Sequence, residues 1–160
     1  MIVMEIVLLN LGKTNEKSLN KLIEDYISRV SHFVKFSYID LPDVKKKKNI
    51  STDRVKIEEE KVILNALNNS DYVVLLDEKG TMKTSKEFAS WLDNLFHISH
   101  KRIVFITGGP YGFSDNLYKK ADFMISLSKM TFTHEMVRLF FVEQLYRAFT
   151  IIKGISYHHD

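Results

Sequence analysis

From residue 134 to 152 the chain is apolar around nearly the whole girth of a helix. Met136, Val137, Leu139, Phe140, Phe141, Val142, Leu145, Tyr146, Ala148, Phe149, Ile151 and Ile152 leave few polar positions between them. A helix with apolar residues on every side must be buried on more than one side. One side can rest on a sheet. In a chain of 160 residues, the other side is expected to rest on a second subunit, since obligate homodimer interfaces resemble a core cut in half. The helix therefore predicts a homodimer.

Strand and helix signals alternate ahead of it. Residues 4–10 read as a buried strand ended by a glycine turn, and 16–30 as a helix with Leu19, Leu22, Ile23, Tyr26 and Ile27 at helical spacing. A second strand at 36–41 is closed by Pro42, and 52–68 is helical through Val55, Ile57, Val62, Ile63, Ala66 and Leu67. The third strand, 72–76, is continuously apolar, as in a sheet covered on both faces. Thr84 and Glu87 form a capping box that starts a helix to about residue 96. Residues 102–106 are strand four, 115–120 a short helix, and Phe123–Ser126 strand five. The class is α/β, with a mostly parallel sheet flanked by helices in one domain over 1–160. There is no repeat and no linker, and two prolines and six glycines are the only strong punctuation.

Charge excludes little. There are 23 basic and 20 acidic residues, a formal +3, which permits an RNA partner without demanding one. The clearest basic cluster is the lysine run at 45–48. It reads as a solvated loop or as phosphate contacts that position RNA without reading its sequence. Lys13, Lys101, Arg102, Lys119 and Lys120 are further candidates for that surface. With no cysteine, disulfides and thiolate metal sites are excluded. The apolar start at 4–9 is too short for a signal sequence or a membrane span. A cytoplasmic protein is expected, with either Met1 or Met4 as the first residue.

Two successive strand ends carry loops rich in backbone. Thr107-Gly108-Gly109-Pro110-Tyr111-Gly112 follows strand four, and Leu127-Ser128-Lys129-Met130-Thr131-Phe132 follows strand five. Open α/β sheets bind ligands at the carboxyl ends of their strands, so a small-molecule site is expected here. Glycines let a backbone approach a ligand closely, or let it turn tightly. The loop lacks the third glycine of the dinucleotide fingerprint and the Gly-Lys-Ser/Thr of a phosphate loop.

With Leu75-Leu76-Asp77 and Gly80, Glu143-Gln144-Leu145-Tyr146-Arg147-Ala148 and the terminal Tyr157-His158, these motifs run through essentially the whole chain in order. The sequence resembles the RlmH-type ribosomal RNA methyltransferases of the SPOUT class. Tyr111 and Thr133 depart from the usual family pattern without removing a backbone donor. The resemblance implies a trefoil knot near the C-terminus, a homodimer and S-adenosylmethionine as methyl donor. It implies methylation of N3 of a pseudouridine in large-subunit (23S) rRNA, on the assembled ribosome. It also implies that Leu76, Gly108 and the backbone of Leu127, Ser128, Lys129, Met130, Thr131 and Phe132 hold the donor. Without the resemblance, Leu76, Leu127, Met130 and Phe132 read as core, and Lys129 as a solvated cation.

N3 methylation requires loss of a weakly acidic imide proton, which a nearby base or cation assists. The sulfonium donor is already activated, so positioning is the remaining need, and no metal is required. The resemblance places Tyr157 and His158 near the active site of the partner subunit. His158 is the candidate general base and Tyr157 an orienting or stacking group; the plain alternative is a frayed tail. Arg138 is a candidate for RNA phosphate contact or for stabilising the imide anion. Glu143 and Arg147, four residues apart, form an ion pair on the helix or hold the tail. The competing functions are a related knotted methyltransferase acting on tRNA and a noncatalytic RNA-binding or ribosome-assembly module. A flavodoxin-like signalling domain fits less well, because no acidic phosphoacceptor cluster is present.

Overall fold

Apolar runs without alternation need cover on both faces, and the fold supplies it. The structure, a computed structural model, describes residues 4–44, 49–98 and 101–160. The lysine run at 45–48 and the first three residues lie outside these. Five strands form one parallel sheet: β1 (Glu5–Leu11), β2 (Lys35–Leu41), β3 (Tyr72–Met82), β4 (Arg102–Thr107) and β5 (Phe123–Ser126), in the order β2-β1-β4-β3-β5. The helices are α1 (Lys17–Ser31), α2 (Thr52–Ala66), α3 (Ser85–Phe96), α4 (Asp115–Lys120) and α5 (His134–Lys153).

Alternate strand residues point to opposite faces. Ile6, Leu8, Val74, Leu76, Ile103 and Phe105 pack with Ile23 of α1, Leu92 of α3 and Phe141 of α5. Val7, Leu9, Val73, Leu75, Val104 and Ile106 pack on the other face with Ile63 of α2 and Leu117 of α4. Three helices thus cover one face and two the other. Thr84 caps α3, its side chain accepting from the Glu87 N–H while the Glu87 carboxylate accepts from the Thr84 N–H, so the capping box forms as read.

Helix α5 packs in the same core cluster as α1 and α3. These neighbours cover much of the apolar girth that pointed to a second subunit. Phe140, 37% exposed, stays on the open side, where its ring meets that of Phe132 at 4.9 Å between centroids. No helix among the described residues is long and apolar enough to cross a membrane.

Two segments differ from the sequence expectation. On α2, Ile57 is 43% exposed while Glu59 and Glu60 are buried. Strand β3 runs on through Asp77-Glu78-Lys79-Gly80 to Met82, instead of ending at residue 76. It pairs with β5 twice: Leu76 and Thr81 both partner Ile125. The chain between them bulges, and Gly80 packs directly against the β5 backbone. A Cβ on Gly80 would lie 2.6 Å from the Ile125 carbonyl carbon and 2.7 Å from its nitrogen.

Gly80→Ala has only backbone to push against, and is expected to cost about 3 kcal/mol or more in urea unfolding. Gly154, at φ +66 with nothing within 4 Å, caps α5 in the left-handed conformation. Gly154→Ala should cost only about 1 kcal/mol in the same assay.

Candidate functional site

Strand order makes three of the expected ligand positions neighbours. β4, β3 and β5 lie side by side and parallel, so their carboxyl ends meet at one edge. Leu76 is paired with Thr107 on one side and Ile125 on the other. Gly108 therefore begins the loop beside Leu76, and Leu127 follows one residue beyond the end of this pairing. Leu76 itself is 7% exposed and forms part of the core wall.

Between β5, α3 and α5 lies a cavity of about 440 Å³. Leu127, Ser128 and Phe132 line it from the last loop, with Ile125 and Ser126 beneath. Phe88, Phe140 and Phe141 supply aromatic walls, and Lys83, Thr84, Ser85, Glu143 and Gln144 the polar ones. The mix of apolar walls with a few polar groups is that of a small-molecule pocket, and the volume lies in the range of about 300–1,000 Å³ for such sites. The loop is held by its own hydroxyls. Ser126 donates to the Ser128 carbonyl at 2.9 Å, and the Ser128 hydroxyl accepts from the Met130 N–H at 2.9 Å. Lys129, Met130 and Thr131 are exposed beyond the cavity wall, Met130 to 75%. Phe140 and Phe141 read in the sequence only as apolar girth of the last helix, because aromatic residues at helical spacing look like ordinary core.

Glu143 joins the cavity to the C-terminus. Its carboxylate lines the cavity and accepts from Arg147 and, at 3.1 Å, from the Tyr157 hydroxyl. Tyr157's proton thus committed, Tyr26 of α1 donates to Tyr157 at 3.3 Å. The Arg147 guanidinium stacks 4.7 Å from the Tyr157 ring centre and reaches His158 Nδ1 at 3.3 Å. Arginine only donates, so Nδ1 is the acceptor and the imidazole proton belongs on Nε2, 3.4 Å from Asp160. Burial, together with the neighbouring Glu143 carboxylate, pushes the Tyr157 phenol well above its ordinary range. Glu143 in turn holds the Arg147 guanidinium charged above its usual value. The tail is therefore docked on α1 and α5 of its own chain.

Arg138 does not join this cluster. It is 1% exposed; Nη1 donates to Thr14 at 2.9 Å and Nη2 to the Leu11 carbonyl at 2.7 Å. With its charge sealed under the loop that follows β1, it cannot be presented to an RNA phosphate or a developing anion. Arg138, expected to contact RNA phosphate or to stabilise the imide anion, is instead a buried tie to Leu11 and Thr14, and Arg147 is the arginine beside the tail. Arg102 also leaves the candidate RNA surface. It pairs with Asp71 at 2.9 Å at the amino end of β4, the edge away from the cavity.

The glycine loop is moulded by protein on one side. A Cβ on Gly108 would meet the Phe113 ring at 3.0 Å, and Gly112 sits at φ +76. Tyr118 locks the end of this loop, accepting from the Phe113 N–H at 3.4 Å and donating to Asp77 at 2.7 Å. No cluster of three or more metal-ligating side chains occurs among the described residues.

A parallel α/β sheet whose loops gather at one carboxyl edge, with a cavity beside β5, places the chain in the open-sheet α/β class, whose members bind small ligands at that edge. Residues 4–158 match the family model described as predicted SPOUT methyltransferase, and the chain belongs to that family. It is 51% identical over 156 residues to the "Ribosomal RNA large subunit methyltransferase H" of Christiangramia forsetii, a match covering 98% of this chain and 99% of that protein. A protein of the same name from Phocaeicola vulgatus is 49% identical over 157 residues, covering 98% and 100%. Among solved structures, a probable methylase family protein from Haemophilus influenzae Rd KW20 shares the fold at TM-score 0.55 and 10% identity, over 93% of this chain and 66% of that one.

Burial, then the bond to Asp77, pushes the Tyr118 phenol from 10.0 up to about 12. A pKa raised by folding stabilises the fold below the unfolded value, and that stability is lost as pH climbs through the folded value. Thermal melting should therefore fall between about pH 10 and pH 12, and Tyr118→Phe should melt with a shallower dependence across that window.

Proposed function

We propose that this protein is an S-adenosylmethionine-dependent methyltransferase that methylates N3 of a pseudouridine in large-subunit (23S) rRNA. One observation carries the reading. In a SPOUT-family chain, the loop after β5 forms a wall of an aromatic cavity, and the opposite wall, Glu143, is bonded to the terminal Tyr157. The expected donor loop and the terminal tail are thereby linked through Glu143. The relatives named above act on large-subunit rRNA by name, at about half identity over nearly the whole chain.

The residues fit the donor. Leu127, Ser128 and Phe132 line the cavity and would offer an adenine ring apolar faces and main-chain groups, while Lys129, Met130 and Thr131 stand outside the cavity wall and would have to close over the donor. Leu76 and Gly108 stand on the adjoining strand ends. When bound, the donor supplies a methyl group on a positively charged sulfur. This chain's residues then orient the uracil ring and move its proton. Arg147 occupies His158 Nδ1 and Asp160 faces Nε2, so His158 must shift one of these contacts before it can take the imide proton. Tyr157, held by Glu143 and Tyr26, orients the tail and offers an aromatic face. Arg147 is the cation beside His158, placed to stabilise the imide anion.

A homodimer is part of this proposal. Phe132 and Phe140, each 37% exposed, meet at the cavity, and Met130 is exposed beyond its wall; this is a surface that a second subunit would cover while bringing its own tail near. The knot is proposed too, on the family to which the chain belongs. Site of action in the cytoplasm, on the assembled ribosome, completes the proposal.

Labelled S-adenosylmethionine incubated with ribosomes, free rRNA and tRNA, followed by mass-spectrometric mapping, tests it. Label is expected on a large-subunit pseudouridine, strongest with ribosomes. His158→Ala should lower the rate by about 10²–10⁴-fold while leaving donor binding intact. Label found on tRNA alone would refute the substrate, and donor binding without any methyl transfer would favour the noncatalytic module.

A further inference from the structure

Helix α2 presents a stripe at four-residue spacing: Val55, Glu59 and Ile63. Its outer members are 6% and 0% exposed, and the glutamate between them is 7% exposed. A carboxylate at a core-facing position is costly unless polar partners compensate for lost water. Glu59 faces the glycine loop. A Cβ on Gly109 would lie 2.5 Å and 2.9 Å from its two carboxylate oxygens. Any side chain at 109 must displace that carboxylate.

The next residue of α2 grips the far end of the same segment. Glu60, 9% exposed, accepts from Asn116 Nδ2 at 3.1 Å. Asn116 stands in the first turn of α4, the helix that the loop leads into. Within the loop, Gly112 N–H donates to the Gly109 carbonyl at 3.2 Å, closing it on itself. Gly109 thus anchors the internal closure and is also the point against which Glu59 is packed. A glycine segment has more freedom to lose than any other, so a loop held in place beforehand spares that ordering cost when a ligand binds.

We propose that Glu59 is a positioning residue for the methyl donor. Its buried carboxylate holds the backbone of Gly108 and Gly109 in the shape the donor requires, and Glu60 holds the start of α4 in register with it. This rests on the reading of residues 107–112 as part of the donor site. Glu59 acts through the loop and touches no substrate.

Donor affinity measured by calorimetry on the full chain tests the proposal, alongside thermal melting without ligand. Glu59→Ala is expected to weaken S-adenosylmethionine binding by about tenfold or more, the effect typical of outer-shell partners. Glu59→Gln, which keeps the shape and one acceptor oxygen, should recover most of it. Val55→Ala, on the same stripe, should lower the melting temperature and leave affinity within about twofold. If Glu59→Ala fails to fold, Gly109→Ala carries the test, because it drives the carboxylate away and should cost affinity to a similar degree. Unchanged affinity in the folded Glu59 or Gly109 variants would overturn the clamp, as would an equal loss in Val55→Ala. Wild-type protein unable to bind the donor would instead overturn the functional reading beneath it.

Discussion

Every strand of this sheet runs the same way, and the rest of the molecule depends on that. Parallel strands deliver each following loop to one edge, so loops distant in sequence meet there. The order β4-β3-β5 then selects which loops adjoin. Leu76, with Thr107 on one side and Ile125 on the other, sits where the three converge. The cavity opens beside β5, where α3 and α5 separate above the sheet.

Buried charge is the second theme. Arg138 ties α5 to the end of β1 through Leu11 and Thr14. Glu143 holds Arg147 and Tyr157. Glu59 and Glu60 sit against the glycine loop and its following helix. Each occupies a position where an apolar residue would pack at lower desolvation cost. All three ties join an element to a loop or tail at the carboxyl edge of the sheet, so the polar interior is concentrated there. The opposite edge is plainer, with Arg102 paired to Asp71.

Comparison of residues with structure shows where sequence reasoning reaches its limit. The Thr84–Glu87 capping box and the Glu143–Arg147 pair were legible because both are local, set by three- and four-residue helical spacing. Arg138 was misread because charge suggests a surface, whereas its partners come from the far end of the chain. Ile57, read among the apolar residues of α2, is exposed while Glu59 is buried, because α2 has apolar residues at both 55 and 57 and composition alone does not choose the buried face. The third strand was expected to end at residue 76 because the apolar run stops there, yet β3 continues to Met82 beside β5, where the absence of a Cβ at Gly80 permits close backbone approach.

The sequence by itself determined the α/β alternation, the strands covered on both faces, the two strand-end loops and the motifs that mark the family. Those are properties of periodicity and short-range spacing, which a linear chain carries without folding. Only the tertiary structure decided that Glu143 links the cavity to Tyr157, that Arg147 rather than Arg138 stands beside His158, and that Glu59 lies against Gly109. Such meetings depend on strand order and on which helix face turns inward, and both are settled by long-range packing that no local pattern encodes.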